Sequence, residues 1–315
     1  MSSQWRELEI VEIPILCGQD KMFASDKSSF QGIVLMITAM AAFAVADTLV
    51  KVNANILSPP LVMLLLIAGS LLLFAFISVA QRQNLLDRRA LAPMMLVRYA
   101  AEIVAMIGMV LALTHVPLSV VGAITQATPL LVVFGAVVWF DEKVGWRRGT
   151  AIGVGFVGVL LIIQPTADGF DVTVCWAVLA TLGLAIRDLV TRLTPHDMRT
   201  SNLATYSMLA AMPVAVGWWM LTGKTTTLPD VNWLLVIAMI SLGALGYVLL
   251  IVSIRQTELS IVTPYRYTRL VFLLGIGVLF FDERPNSLVL LGAGLIVVSG
   301  LYTLWRDRAL NTDKR

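Results

Sequence analysis

Hydrophobic residues fall in ten blocks of about 20, the length a helix needs to cross the hydrocarbon of a bilayer. The blocks are 30–50, 60–80, 91–113, 118–140, 146–164, 172–191, 202–222, 231–254, 259–281 and 285–304. Short polar or Pro/Gly-containing pieces separate them, among them "NANILSPP", "THVP", "DEKVGWRR" and "ERPN". Connections this short force neighbouring helices to run antiparallel and leave no room for a separate soluble domain. The pattern predicts an all-α membrane protein with ten transmembrane helices.

Composition supports that reading. The chain is 58% hydrophobic and 14% charged, with a mean hydropathy of +0.85. A soluble domain is closer to a quarter charged. The net charge is +3, with no basic tract of the kind that binds nucleic acid. Cys17 and Cys175 form no metal or disulfide spacing. His115 and His196 lie beside Pro117 and Pro195 and read as ordinary loop residues. Residues 1–29 are too charged to insert and lack the order of a signal peptide. They read as a cytoplasmic tail, or as an extension ahead of a true start at Met22.

Lys and Arg in the loops set the orientation. With the N-terminus inside, cytoplasmic loops and the tail at 306–315 hold Arg82, Arg88, Arg89, Lys143, Arg147, Arg148, Arg192, Arg199, Arg255, Arg306, Arg308, Lys314 and Arg315. External loops hold Lys51, Lys224 and Arg284. Both termini are therefore expected in the cytoplasm, and the membrane is read as the bacterial inner membrane.

The second half of the chain repeats the first without a gap at an offset of 141 residues. "LSVVGAITQATPLLVVFGAVVWFDEK" (118–143) lies over "LSIVTPYRYTRLVFLLGIGVLFFDER" (259–284). Leu118/Leu259, Ser119/Ser260, Phe140/Phe281, Asp141/Asp282 and Glu142/Glu283 are identical. The same offset pairs Asp47 with Asp188 and Lys51 with Arg192. Apolar similarity arising by chance does not keep rare charges in register. Each half has five spans, an odd number, so the second half starts from the opposite side and the repeat is inverted.

Ten spans, a five-plus-five inverted repeat, and a span closing on Phe-Asp-Glu followed by a basic residue resemble the drug/metabolite transporter superfamily. EamA-type permeases are the nearest group. The resemblance covers about residues 30–305, with repeats at 30–164 and 172–305. It implies a secondary transporter that moves a small polar metabolite by alternating access, without a cofactor. Relatives of this kind also include carriers of larger ring-bearing metabolites such as S-adenosylmethionine or riboflavin, which is the alternative reading; a non-transporting membrane sensor or scaffold with the same fold is the second alternative.

Ionisable groups inside the spans narrow the site, because charge in hydrocarbon is costly and marks function. At ~1.5 Å per residue, Arg98 lies about 10 Å and Glu102 about 16 Å into the third span, and Arg266 about 13 Å and Arg269 about 18 Å into the ninth. Gln126 lies about 13 Å into the fourth. Arg98 and Glu102 share one helix face, and Arg266 and Arg269 share another. These faces are expected to line a polar cavity between the halves. Three arginines against one glutamate give a net charge of +2 there, which suits an anionic or carboxylate-bearing substrate. Tyr99, Tyr265 and Tyr267 are expected to supply flat walls for a ring. Glu102 is the candidate carrier if a proton is coupled, a counter-substrate being the other option. The alternative is that Glu102 pairs with Arg98 or Arg269 to hold the bundle together.

Asp47/Lys51 and Asp188/Arg192 are i, i+4 pairs near helix ends and are read as symmetric clasps or gating pairs. The role of Arg187 is left open. Pro129 and Pro264 allow kinks but do not align at the offset, so the halves need not bend alike. "GVGFVG" (Gly153, Gly155, Gly158) matches a dinucleotide fingerprint in letters only. It sits inside a span, where small residues serve helix packing; Gly149, Gly292 and Gly294 fit the same account. No Ser-His pair, Cys/His cluster or metalloprotease motif argues for an enzyme. The expected partners are a small-molecule substrate and the bilayer, with the chain a monomer or a homodimer.

Overall fold

In hydrocarbon no water satisfies backbone amides, so apolar blocks of this length close their hydrogen bonds within helices. The computed structural model describes residues 25–80, 88–140, 146–164, 171–191, 200–222, 231–256 and 259–312, and among these there is no strand. Arg192, His196 and most of the inter-span loops read from the sequence lie outside the described residues. The helices are α1 (Ser25–Ala54), α2 (Pro59–Ala80), α3 (Pro93–His115), α4 (Leu118–Thr125), α5 (Thr128–Phe140) and α6 (Trp146–Ile163). They continue with α7 (Val174–Thr191), α8 (Thr200–Thr222), α9 (Trp233–Gln256), α10 (Leu259–Val262), α11 (Thr268–Phe281) and α12 (Ser287–Thr312).

Nine spans among the described residues are long and apolar enough to cross a bilayer, and Gly149–Ile163 is a shorter apolar helix. The fourth span is α4 with α5, and the ninth is α10 with α11. Prolines mark several starts: Pro59 opens α2 and Pro93 opens α3, places where the missing N–H removes no helix bond.

Helix pairing follows the repeat. The main interfaces join α1 to α9, α3 to α7, α2 to α8 and α6 to α12. Span one is the repeat mate of span six, and span three of span eight. The α1–α9 and α3–α7 interfaces are therefore the same interface seen from the two halves, while α2–α8 and α6–α12 lie on the pseudo-two-fold axis. Each half packs mainly on the other, as an inverted repeat requires.

Small residues bring these pairs close. A Cβ on Gly108 of α3 would lie 2.7 Å from the Ala180 amide of α7, and one on Gly183 of α7 would lie 2.7 Å from the Ala105 amide of α3. Gly158 and Gly292 do the same for α6 and α12, where a Cβ on Gly158 would meet the Gly292 carbonyl at 2.7 Å. Gly149, Gly153 and Gly294, expected to share that role, have no atom within 4 Å of an added Cβ; in these three, packing does not explain the glycine.

Both halves break at the same span, in spite of the unaligned prolines. The first break is the pair Gln126–Ala127 between α4 and α5, and the second is a 3-10 turn over Thr263–Tyr267 between α10 and α11. Pro129 falls in the first turn of α5 and Pro264 inside the 3-10 turn, so each proline sits where an α-helical bond is already missing. Hydroxyls cover part of the freed backbone. Thr128 donates to the Thr125 carbonyl at 2.6 Å and Thr268 to the Tyr265 carbonyl at 2.6 Å. The breaks meet where Gln126 Nε2 donates to the Arg266 carbonyl at 3.4 Å.

Candidate functional site

A cavity of about 300 Å³ lies between the halves, walled by α1, α2, α3, α7, α8, α9 and the two broken spans. Its polar side chains include Asp47, Glu102, Gln126, Arg187, Asp188, Tyr247, Arg266 and Arg269. Non-helical backbone at membrane depth is tolerated only where it lines such a cavity or is buried in protein, and both breaks open onto it.

The charges form a connected set. Arg187 donates to Glu102 at 3.0 Å and to Asp188 at 2.9 and 2.7 Å. Arg266 stands 4.0 Å from the other oxygen of Asp188. Arg269 donates through Nε, at 3.1 Å, and through Nη2 to Asp47, and its guanidinium lies 5.5 Å from the centre of the Phe43 ring. Asp47 and Asp188 occupy equivalent places in the two repeats. Arg269 and Arg266, one turn apart, thus address the two symmetry-related carboxylates.

Arg98 stands behind this wall. It is 4% exposed, donates to Thr191 Oγ1 at 3.0 Å and to Ser207 Oγ, and lies 3.8 Å from Glu102. It backs Glu102 instead of lining the cavity, although α3 carries both on one face. Counted as ionised, the lining holds Arg187, Arg266 and Arg269 against Asp47, Glu102 and Asp188. With Arg98 the set nets +1, not the +2 expected, because Asp47, Asp188 and Arg187 also face the cavity.

The expected i, i+4 clasp of Asp47 with Lys51 does not form. Lys51 Nζ donates to the carbonyls of Leu113, at 3.3 Å, and Val116, at 2.7 Å. These are the open carbonyls at the C-terminal end of α3, where a cation is favoured. Asp47 is left for Arg269, which has no acid on its own helix. Asp188 is taken by Arg187 and Arg266, and Arg192 lies outside the described residues.

The tyrosine walls come from elsewhere. Tyr99 is buried with Ala90, Met95, Leu203 and Tyr206. Tyr265 packs against a cluster of Met36, Ala39 and Met40 on α1 with Val262 at the end of α10. The Tyr267 hydroxyl occupies the place a Cβ on Gly300 would fill, which turns it toward α12. The hydroxyls of Tyr99 and Tyr267 have no hydrogen-bond partner among the described residues. In place of the three tyrosines, Phe43, Phe74 and Tyr247 face the cavity, with Phe74 and Tyr247 edge to face at 5.1 Å. Tyr247 is fourteen residues into a 24-residue helix; a hydroxyl at that depth is the signal that would have found it.

Outside the spans, Asp171 precedes α7 and accepts from Thr173 Oγ1 at 2.6 Å and from the Thr173 amide at 2.9 Å. These bonds hold its carboxyl below the usual aspartate range. Among the described residues, no group of three or more His, Cys, Asp or Glu is placed to hold a metal ion.

Comparison with known proteins places this geometry among carriers. The profile of the EamA-like transporter family matches residues 30–164 and 172–305. An S-adenosylmethionine uptake transporter of Rickettsia bellii is 25% identical over 206 residues, 64% of this chain and 69% of that protein. A riboflavin transporter of Vibrio cholerae is 29% identical, over 61% of this chain and 64% of its own length. The pseudopaline exporter CntI of Pseudomonas aeruginosa is 27% identical over 85% of this chain and 94% of its own. A solved crystal structure superposes with a TM-score of 0.59 at 16% identity, covering 90% of this chain and 99% of that one; at that identity the likeness is one of fold.

Proposed function

We propose a substrate class from one premise: the chain belongs to the EamA-like transporter family and is a transporter set in a membrane. Our reading is a secondary transporter for a small polar metabolite that carries a carboxylate or another anionic group. It works by alternating access from the bacterial inner membrane, with both termini in the cytoplasm. It binds and releases its substrate unchanged.

The observation that carries this reading is the state of Arg266. Among the described residues its nearest carboxylate oxygen is 4.0 Å away, and its side chain is 33% exposed. Arg269 and Arg187 have direct carboxylate partners and are 21% and 23% exposed. A guanidinium facing a cavity without a tight partner is a ready binder of oxyanions, since its planar fork meets a carboxylate with two parallel bonds. The lining itself is balanced, three arginines to three carboxylates, so the free fork of Arg266 and not a net charge is what favours an anionic group. The 300 Å³ volume stands at the low end of the roughly 300–1,000 Å³ of ligand sites, which favours a small metabolite in this state.

A second reading rests on Phe43, Phe74 and Tyr247 beside the charges. Planar walls suit a ring, so a larger ring-bearing metabolite of the S-adenosylmethionine or riboflavin type fits the family. The two readings part at the ring, which a small carboxylate lacks; within the second, S-adenosylmethionine has a carboxylate and riboflavin does not.

Counterflow into proteoliposomes separates them. Purified protein is reconstituted and challenged with small amino acids and carboxylates, S-adenosylmethionine and riboflavin. Flux confined to the small amino acids and carboxylates, lost in Arg266→Ala, supports the first reading, and flux of S-adenosylmethionine supports the second. Riboflavin flux that Arg266→Ala leaves intact overturns it in favour of the second. Glu102→Gln serves in the same assay to test proton coupling: an imposed pH gradient should drive uptake only while Glu102 is present.

A further inference from the structure

A second charged cluster lies away from the cavity, at the far side of the membrane, where α1 and α3 end. The turn from α11 to α12 carries Glu283. Its carboxylate accepts the backbone amides of Leu118 and Ser119, the latter at 2.9 Å, and the Ser119 hydroxyl at 2.7 Å. These amides belong to the first turn of α4, which has no internal partner for them. Glu283 is aimed there by Asp282, which closes α11 in the left-handed region at φ 50°, and by its own amide, which donates to the Gly277 carbonyl at 3.0 Å.

Lys51 completes the cluster. It binds the last carbonyls of α3 and stands 5.7 Å from the centre of the Phe281 ring. The α3–α4 corner of the first repeat is thereby held on one side by an anion at a helix start and on the other by a cation at a helix end, the arrangement helix dipoles favour. Val116, Leu118 and Ser119 at that corner are each no more than 1% exposed. A further tie crosses the same side, where Gln164 and Asn286 exchange amide hydrogen bonds at 3.1 Å.

We propose that the Glu283 clasp is the gate that seals the far side in this conformation, and that the cavity opens to that side by releasing it. The corner it holds joins the third span to the broken fourth span, the break of which lines the cavity. Any motion that parts α4 from the α11–α12 turn must first strip Glu283 of its three donors. The sequence repeats the pieces at the offset of 141: Leu118 and Ser119 return as Leu259 and Ser260, Glu283 as Glu142, Lys51 as Arg192. Alternating access depends on such reversible seals having modest strength, so that the two states stay close in free energy.

The test reads accessibility and needs no substrate, so it stands or falls apart from the substrate class. The protein, with Cys17→Ser and Cys175→Ser, is placed in nanodiscs so that both faces meet the reagent. Val116→Cys reports the corner and Ala211→Cys, in fully buried α8 packing, reports the body of the fold. The labelling rate by a charged maleimide at Val116→Cys should rise roughly tenfold on adding Glu283→Ala and roughly threefold on adding Ser119→Ala, which removes one donor of three. The rate at Ala211→Cys should not change. Unchanged labelling at Val116→Cys in both folded variants overturns the proposal. An equal rise at both reporters also overturns it, since the clasp would then hold the fold and not a gate. Should Glu283→Ala fail to fold, Ser119→Ala decides by the same readings.

Discussion

Arg269 donates through both Nε and Nη2 to Asp47, 222 residues earlier in the chain. The contact ties the second repeat to the first beside the cavity and leaves Arg266, one turn away, loosely held by Asp188 at 4.0 Å. Two arginines on one short stretch thus have different tasks.

The Asp47–Arg269 pair should behave as a structural tie. Removing one partner of a fully buried pair costs about 3–5 kcal/mol, and less is expected for this part-buried one on the cavity wall, whereas replacing both with apolar residues recovers much of the loss. Asp47→Leu and Arg269→Leu should each lower the melting temperature in detergent sharply. The double variant should melt closer to the parent. Additive losses would show that the two residues act independently.

Arg266 should show the opposite profile. Arg266→Ala is expected to leave the melting temperature near that of the parent, because no tight partner is lost. Substrate affinity should fall about 30-fold or more, as for loss of one member of a buried charge-assisted contact. Arg266→Lys should keep the charge but not the two-pronged geometry, and recover part of the affinity. Isothermal titration with the transported carboxylate checks both.

Tyr247 should discriminate among solutes. Tyr247→Phe keeps the ring that meets Phe74 edge to face, while Tyr247→Leu removes it. If a ring is bound here, Tyr247→Leu should weaken ring-bearing solutes about 3–10-fold relative to aliphatic carboxylates, the worth of one aromatic contact. Competition for counterflow measures the ratio; equal effects on both solute types would exclude a ring contact.

The α3–α7 interface should not tolerate a methyl group. In Gly108→Ala the new Cβ would face the Ala180 amide and the Trp176 carbonyl at 2.7 and 2.9 Å, and backbone cannot move aside as a side chain can. Destabilisation of about 1–3 kcal/mol is expected, the usual cost of overpacking. Gly149→Ala, with open space around it, should be neutral or slightly stabilising by helix propensity. Thermal unfolding in one detergent compares the two.

Asp171 sets a small pH dependence at the start of α7. Its carboxyl is held below the usual range in the folded protein, first by the Thr173 hydroxyl and then by the Thr173 amide. The stabilisation is thus present above the ordinary aspartate pKa and disappears as pH falls through the depressed folded value. Thr173→Val should move the Asp171 titration, followed by carboxyl carbon NMR, upward toward the ordinary value.

How much of the site could be read in advance depended on what kind of question each residue posed. Depth is a matter of counting, so Glu102, Gln126, Arg266 and Arg269 could be put near mid-membrane from position alone, and all four line the cavity. Partner choice is a matter of reach between helices. Asp47 and Lys51 are four apart on one helix, yet each finds a better partner on another: a guanidinium of α11 for one, the carbonyl end of α3 for the other. Tyr265 and Tyr267 flank Arg266, but a 3-10 turn replaces the regular helix there, so neighbours in sequence turn to α1 and α12.

The amino-acid sequence alone determined the bundle. Ten apolar blocks, an odd number per half and charges repeated in register leave an inverted all-helical repeat as the arrangement that satisfies every backbone group in lipid. Which side chains meet across that bundle needed the folded chain. Helix rotation and the two breaks set the directions in which Arg187, Tyr247 and Asp188 point, and these depend on packing between segments more than a hundred residues apart. Local periodicity carries no information about such contacts, because it fixes a residue's place along its own helix and not the neighbour that helix will face.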